Sequence, residues 1–278
     1  MSENTEFAQR ALPETLPLYP GESTPPDLEE ATVYRPAAGQ ENGAGIILFP
    51  GGGYGSLSME KEGHRPANWL ADLGFVAMVA PYRVAPHRHP EPLLDARRAI
   101  ATTRARAAEW GIDPAKVGVM GYSAGGHLAA MCSTWYNQEV QGEEREISQA
   151  NPRPDFSILC YPVIDMATEI AHRGSVANLL GPDAPDETTR RFSMHRHVTA
   201  NTPPTFLWHT SEDDAVPPQN SINYYNALHA QGVPAELHIY RKGPHGMDMG
   251  ESAHNARPWV DDLRQWLQAL LADPGIFA

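Results

Sequence analysis

The sequence predicts an α/β protein in which a mainly parallel sheet carries helices on both faces. Three observations lead there: short apolar runs recur along the chain, each stops at glycine, proline or a polar turn, and stretches with three- and four-residue apolar spacing fall between them. Strands that alternate with helices in this way join as right-handed crossovers. Ligands of such sheets collect at the carboxyl ends of the strands.

Residues 1–30 hold Pro13, Pro17, Pro20, Pro25 and Pro26, which disfavour a long helix or a central strand and predict an extended N-terminal arm. The first strand expected is Gly45-Ile-Ile-Leu-Phe-Pro50, cut off at Gly51-Gly-Gly53, and the second is Phe75–Ala80, after a helix over residues 64–73. From Leu93 to Trp110 apolar or small residues at 93, 96, 100, 103, 107 and 110 describe an amphipathic helix, with Gly111 at the position of a C-cap. Val117–Met120 reads as a strand that turns sharply into an Ala-rich helix from Ala124 to Trp135. Further strands are expected at Phe156–Tyr161, Thr205–His209 and Ala235–Tyr240, with helices over Asn220–Gln231 and Pro258–Leu271. The last helix has Pro258 at its start and Trp259, Leu263, Trp266 and Leu270 on one face. Residues 163–200 are polar, irregular and longer than an ordinary connection, so they are expected to form a small lid over the strand ends.

With 278 residues, 41% hydrophobic and 20% charged, the chain has enough apolar surface for one core, and a single domain over residues 1–278 is expected. Acidic residues outnumber Lys and Arg by 34 to 21, a net charge of −13, and no basic cluster stands out. Nucleic acid and anionic membranes are therefore poor partners. The N-terminus lacks a basic start and an apolar segment, and no apolar run reaches spanning length, so the expectation is a soluble, cytoplasmic protein. The only cysteines, Cys132 and Cys160, fall on the Ala-rich helix and at the end of an apolar strand, where they read as buried filler.

Gly121-Tyr122-Ser123-Ala124-Gly125 matches G-x-S-x-G between a strand and a helix, the setting of a nucleophile elbow in an α/β-hydrolase fold. A turn this tight brings neighbouring chains close, so the positions two either side of Ser123 must lack side chains. A serine hydroxyl is a weak nucleophile at neutral pH and needs a histidine base oriented by a carboxylate. In this fold the chain order is Ser, acid, His. His245, in Gly243-Pro-His-Gly-Met247, follows the strand Ala235–Tyr240 and is the expected base; the only later histidine is His254, close to the final helix. For the acid, Ser211-Glu-Asp-Asp-Ala-Val-Pro217 offers three carboxylates, of which Asp213, at the head of an Asp-x-x-Val-Pro turn, is the choice and Asp214 the alternative. The oxyanion donors expected are the N–H groups of Ala124 and of Gly52 and Gly53. Tyr54, Tyr122 and Met247 stand beside these residues in sequence and are expected to line the substrate pocket. The tripeptides His87–His89 and His195–His197 lack a third ligand at metal-site spacing, so neither metal nor organic cofactor is expected.

Several further segments accompany these motifs: Leu16–Gly21, Pro50–Tyr54, Lys61-Glu-Gly63, Tyr82–Pro86, Gly121–Ala129, Thr202–Phe206, Asp213–Asn220 and Gly243–Gly246. Together the chain resembles, over nearly its whole length, the esterase family that includes bacterial acetyl xylan esterases and bifunctional feruloyl and acetyl xylan esterases. The resemblance implies Ser123, Asp213 and His245 as triad and Gly52, Gly53 and Ala124 as oxyanion donors. Pro50 stands where the hormone-sensitive-lipase-like group has histidine before its glycines, which implies the sugar-esterase branch. The expected activity is a serine carboxylic-ester hydrolase that removes short acyl groups, acetyl first, from a carbohydrate or similar small alcohol. An amide hydrolase on the same triad and a non-catalytic binding module on the same scaffold are the alternatives; the oligomeric state is left open.

Overall fold

Runs that are apolar at successive positions belong in strands buried on both faces. In the computed structural model, which describes residues 10–19, 25–250, 258–273 and 275–276, β3 (Gly45–Phe49), β4 (Val76–Val79), β5 (Val117–Tyr122), β6 (Ser157–Cys160) and β7 (Thr205–Thr210) are buried at every position. β8 (Ala235–Tyr240), at the sheet edge, is mostly half-buried.

Two strands were not foreseen. β1 (Glu14–Leu16) and β2 (Ala31–Tyr34) pair antiparallel with each other, and β2 with β4, which gives the order β1-β2-β4-β3-β5-β6-β7-β8. The other six strands are parallel. Part of the expected arm is therefore sheet edge, compatible with its prolines because edge strands leave one row of backbone groups unpaired.

Alternate residues of each strand feed two separate cores. Ile47, Phe49, Val117, Val119, Leu159 and Leu207 face α2 (Glu91–Ala105), α4 (Ala124–Thr134) and α8 (Gln219–Ala230). Ile46, Leu48, Met120, Ile158, Phe206 and Trp208 face α1 (Arg65–Asp72) and α9 (Pro258–Ala272). Each large apolar side chain so buried contributes roughly 1.5–3 kcal/mol. On α9 the buried stripe is Trp259, Leu263, Leu267 and Leu270, with Trp259 stacked on Trp208 at 4.7 Å. Trp266, expected in that stripe, is only partly buried, its ring 5.7 Å from Phe206.

The helix expected from Leu93 to Trp110 is divided at Arg106 into α2 and α3 (Ala107–Trp110), and a π-helical turn, Met59–His64, leads into α1. α5 (Arg145–Gln149) was not expected. Residues 163–200 are not irregular: they form α6 (Arg173–Leu180), α7 (Asp186–Arg191) and a 3-10 turn, Met194–His197. Val163, Ile164, Met166, Val176, Leu179, Phe192 and Met194 join the core from this segment, so it is packed like the rest of the domain. Among the described residues no helix is long and apolar enough to cross a membrane, and both cysteines are buried and free.

The strand order locates the crevice. The chain passes from β3 to β4 on one side, then returns past β3 to β5 on the other, so the loops leaving β3 and β5 diverge and open a space above their carboxyl ends.

Candidate active site

Ser123 occupies the turn between β5 and α4 with φ 51° and ψ −116°, a conformation that costs a non-glycine residue roughly 1–3 kcal/mol. The surroundings hold it there. Its N–H donates to the Cys160 carbonyl at 3.0 Å, and its own carbonyl accepts from Val163 at 3.0 Å and from His127 at 3.1 Å. A Cβ on Gly121 would stand 2.1 Å from the Gly125 carbonyl oxygen, and a Cβ on Gly125 would stand 2.1 Å from that of Phe49. Both glycines are thus required by close backbone approach, as the pentapeptide suggested.

His245, in the loop after β8, brings Nε2 to 2.7 Å from Ser123 Oγ and Nδ1 to 2.6 Å from Asp213 Oδ2. With the proton on Nδ1 donated to the carboxylate, Nε2 is left as acceptor for the serine hydroxyl. Asp213 follows β7. Its Oδ1 accepts the N–H groups of Ala215 at 3.1 Å and Val216 at 2.8 Å, so the Asp-x-x-Val-Pro turn fixes the carboxylate. Burial alone would raise its pKa, but hydrogen bonds from His209 and His245, the charge of His245 and the Val216 N–H together hold it well below the usual carboxylate range. Asp214 is exposed to solvent.

His209 was not singled out from sequence. It is wholly buried, its Nε2 donates to the Val216 carbonyl at 2.7 Å and lies 3.2 Å from Asp213 Oδ2, and its Nδ1 accepts from Ser221 Oγ at 2.8 Å. It braces the Asp213 carboxylate from behind.

In the loop after β3, Gly52 (φ 135°) and Gly53 (φ 63°) take conformations that other residues resist, and a Cβ on Gly52 would lie 2.1 Å from the Ser56 carbonyl oxygen. Their carbonyls are used: that of Gly52 accepts from Gly55 at 3.0 Å, that of Gly53 from Asn178 Nδ2 at 2.9 Å. Among the described residues their N–H groups have no acceptor, and the N–H of Ala124, first in α4, has none within the helix. These donors remain available to a ligand beside Ser123.

Glu62 anchors this loop, and only its tripeptide drew notice in the sequence. It is buried, its Oε2 accepts the Gly51 N–H at 2.8 Å, and its Oε1 accepts the Tyr161 hydroxyl at 2.7 Å. Tyr161 lies edge-on to the His245 ring at 5.1 Å and accepts the Asp248 N–H at 3.2 Å. Burial raises the Glu62 carboxyl pKa, against the opposing pull of those hydrogen bonds. Through Tyr161, Glu62 thereby ties the loop after β3 to the loop that carries His245.

Ser123 and His245 open into a cleft of about 440 Å³, lined also by Gly52, Gly53, Ser58, Lys61, Glu62, His172, Gly174, Asn178 and Gly246. Tyr54, Tyr122 and Met247, expected in its wall, are instead buried in the core. Tyr54 bonds through its hydroxyl to His127 Nδ1 at 2.9 Å, Tyr122 packs on Tyr161 with ring centroids 5.8 Å apart, and Met247 joins the core under α9. Tyr122 is the last residue of β5 and, like Met120 two positions before it, points into the core under α1 and α9, before the chain turns sharply at Ser123.

His127 donates from Nε2 to the Phe192 carbonyl at 2.8 Å, and burial pushes its pKa down to about 4. Of the His-Arg-His segments, His87 pairs with Asp27 at 2.5 Å, His89 packs on Phe192 with centroids 4.7 Å apart, and His197 bonds the Arg191 carbonyl at 2.6 Å. Among the described residues no three His, Cys, Asp or Glu side chains form a group that could hold a metal ion. His254 lies outside the described residues.

A parallel sheet with its crevice above β3 and β5, and a strained serine at that crevice within reach of a histidine behind the last strand, define an α/β-hydrolase. Comparison with known proteins narrows the class. An acetyl ester-xyloside bifunctional hydrolase from Caldicellulosiruptor lactoaceticus superposes with a TM-score of 0.85 at 37% identity, over 92% of this chain and 96% of that one. The acetylxylan esterase of Xylanibacter ruminicola is 34% identical over 235 residues, 83% of this chain and 46% of that protein. The endo-1,4-beta-xylanase B of Butyrivibrio fibrisolvens is 34% identical over 206 residues, 73% of this chain and 32% of that protein. The chain thus spans less than half the length of these two relatives. It matches the BD-FAE family over residues 32–228 and belongs to that family of α/β-hydrolase esterases.

Proposed function

We propose that this chain is a carboxylic-ester hydrolase that removes short acyl groups, acetyl first, from a carbohydrate or similar small alcohol. The hydrogen-bonded line from Ser123 Oγ through His245 to Asp213 carries the reading, since it links a nucleophile, a base and an orienting acid in one relay. His245 takes the hydroxyl proton as Ser123 Oγ attacks the ester carbonyl. Asp213 holds the productive tautomer and stabilises the imidazolium. The N–H groups of Gly52, Gly53 and Ala124 receive the charge that develops on the carbonyl oxygen. His245 then returns the proton to the departing alcohol, and water, activated by the same base, releases the acid from the acyl-serine.

Short acyl groups follow from the lining of the cleft. A buried methylene contributes roughly 0.8 kcal/mol only where it meets apolar surface, and no aliphatic or phenyl side chain is among the residues that line the cleft. The charges of residues 163–200 do not add to this selectivity: Asp183, Asp186, Glu187, Arg190 and Arg191 are exposed away from the cleft, which that segment lines with His172, Gly174 and Asn178. The relatives support the alcohol, since two of those named above are an acetylxylan esterase and an acetyl ester-xyloside hydrolase.

The test is kcat/KM along nitrophenyl esters from acetate to decanoate, beside acetate release from acetylated xylo-oligosaccharides. The expected result is a maximum at the shortest acyl chains with acetate freed from the sugars. A maximum at octanoate or beyond, with no acetate from any sugar, contradicts the proposal.

A further inference from the structure

We infer that His172 is a specificity-determining residue whose Nε2–H donates to an oxygen on the alcohol side of the ester, such as a sugar hydroxyl beside the acyl group. The inference rests on the esterase reading above and adds to it the group that recognises the alcohol.

The tautomer follows from the hydrogen bonds. His172 is the N-cap of α6: its Nδ1 accepts the Ser175 N–H at 3.2 Å and lies 2.8 Å from Ser175 Oγ. An amide N–H can only donate, so Nδ1 must offer a lone pair, and the proton of the neutral ring is on Nε2. A second proton on Nδ1 would face that amide N–H. Burial and the nearby His245 also disfavour the charged ring, against a smaller pull from Asp213. Among the described residues Nε2 has no hydrogen-bond partner.

Position gives this donor its use. The ring lines the cleft together with Ser123 and His245, and a Cβ on Gly53 would lie 3.5 Å from its Cε1. His172 thus stands beside one of the N–H groups assigned to the ester carbonyl. An acetyl group has no oxygen other than that carbonyl, so any other oxygen of the substrate within reach belongs to the alcohol. Asn178, on the same helix, already spends one donor on the Gly53 carbonyl at 2.9 Å, which fixes α6 against the loop and sets the height of His172 above it.

Two variants separate recognition from capping. His172→Asn keeps a strong N-cap acceptor and loses the donor at the reach of Nε2; His172→Gln keeps a donor near that reach and weakens the cap. The measurement is the ratio of kcat/KM on acetylated xylobiose to that on phenyl acetate, whose alcohol has no further hydroxyl. In His172→Asn the ratio is expected to fall roughly 10-fold, the worth of one net hydrogen bond, chiefly through KM on the sugar, and in His172→Gln to stay nearer the parent value. An unchanged ratio in His172→Asn, or a larger fall in His172→Gln, overturns the proposal while leaving the esterase reading intact. A parent chain that hydrolyses neither ester overturns both.

Discussion

The nucleophile turn and residues 163–200 meet across one cleft, and the chain specifies them by different means. Around Ser123 the constraints fall on two glycines of one pentapeptide: Gly121 collides with Gly125 inside it, and Gly125 with the end of β3, distant in sequence. The opposite wall is held by partners far away in sequence. Asn220 Oδ1 accepts the N–H groups of Ile164 at 2.9 Å and Asp165 at 2.8 Å, the backbone N–H of His89 donates to the Leu179 carbonyl at 3.0 Å, and the His127 ring reaches the Phe192 carbonyl. The turn at Ser123 is therefore marked by a short motif, whereas the opposite wall of the cleft is held by residues scattered along the chain.

The largest effect belongs to the turn. Ser123→Ala is expected to fold as the parent does and to lose on the order of 10⁶ in kcat, measured on a small aryl ester with thermal melting as the check on folding. More than about 1% of parent activity, free of contamination, would mean that the nucleophile lies elsewhere and that the motif misleads.

Next comes the acid. Asp213→Asn is expected to lower kcat on the order of 10⁴-fold, because the amide no longer stabilises the productive histidine tautomer. Asp214→Asn, at an exposed position, is expected to leave kcat close to the parent value. The reverse ranking would shift the assignment by one residue.

The smallest effect concerns stability and the wall of the cleft opposite Ser123. His127 joins Tyr54 of the glycine loop to Phe192 of the far wall and is held neutral, with its pKa pushed from 6.5 down to about 4. As pH falls below about 6.5 the unfolded chain takes up this proton before the folded one does, so stability is lost between about pH 6.5 and 4, on the order of 3 kcal/mol in full. Urea midpoints across that window should fall with a steeper slope in the parent than in His127→Asn. Equal slopes would show that the buried ring is not the linkage. Asp213 acts in a separate and more acid window: its carboxyl is held low by its partners, so its contribution is present above the ordinary carboxylate pKa and is lost as pH falls beyond it.

Much of this was legible in advance, for reasons that differ between elements. Strands β3 to β7 read as apolar runs because both of their faces are buried, and Ser123, Asp213 and His245 could be brought together in advance because each follows a strand end in the order this fold dictates. β1 and β2 did not: strands of three and four residues carry little signal, and they form because β4 offers them an edge. Glu62, His209 and His172 stayed hidden because their roles come from partners 11 residues away at Gly51, in the acid turn, and across the cleft. Tyr54 and Tyr122 drew a wrong expectation from adjacency alone.

The assignment of Ser123 as the group that forms the acyl-enzyme is open to test by covalent labelling. A fluorophosphonate should abolish ester hydrolysis at one equivalent per chain, add its mass to the peptide that contains Ser123, and leave Ser123→Ala unlabelled. Full activity after exposure to the reagent, or stoichiometric labelling at any other residue, would contradict it.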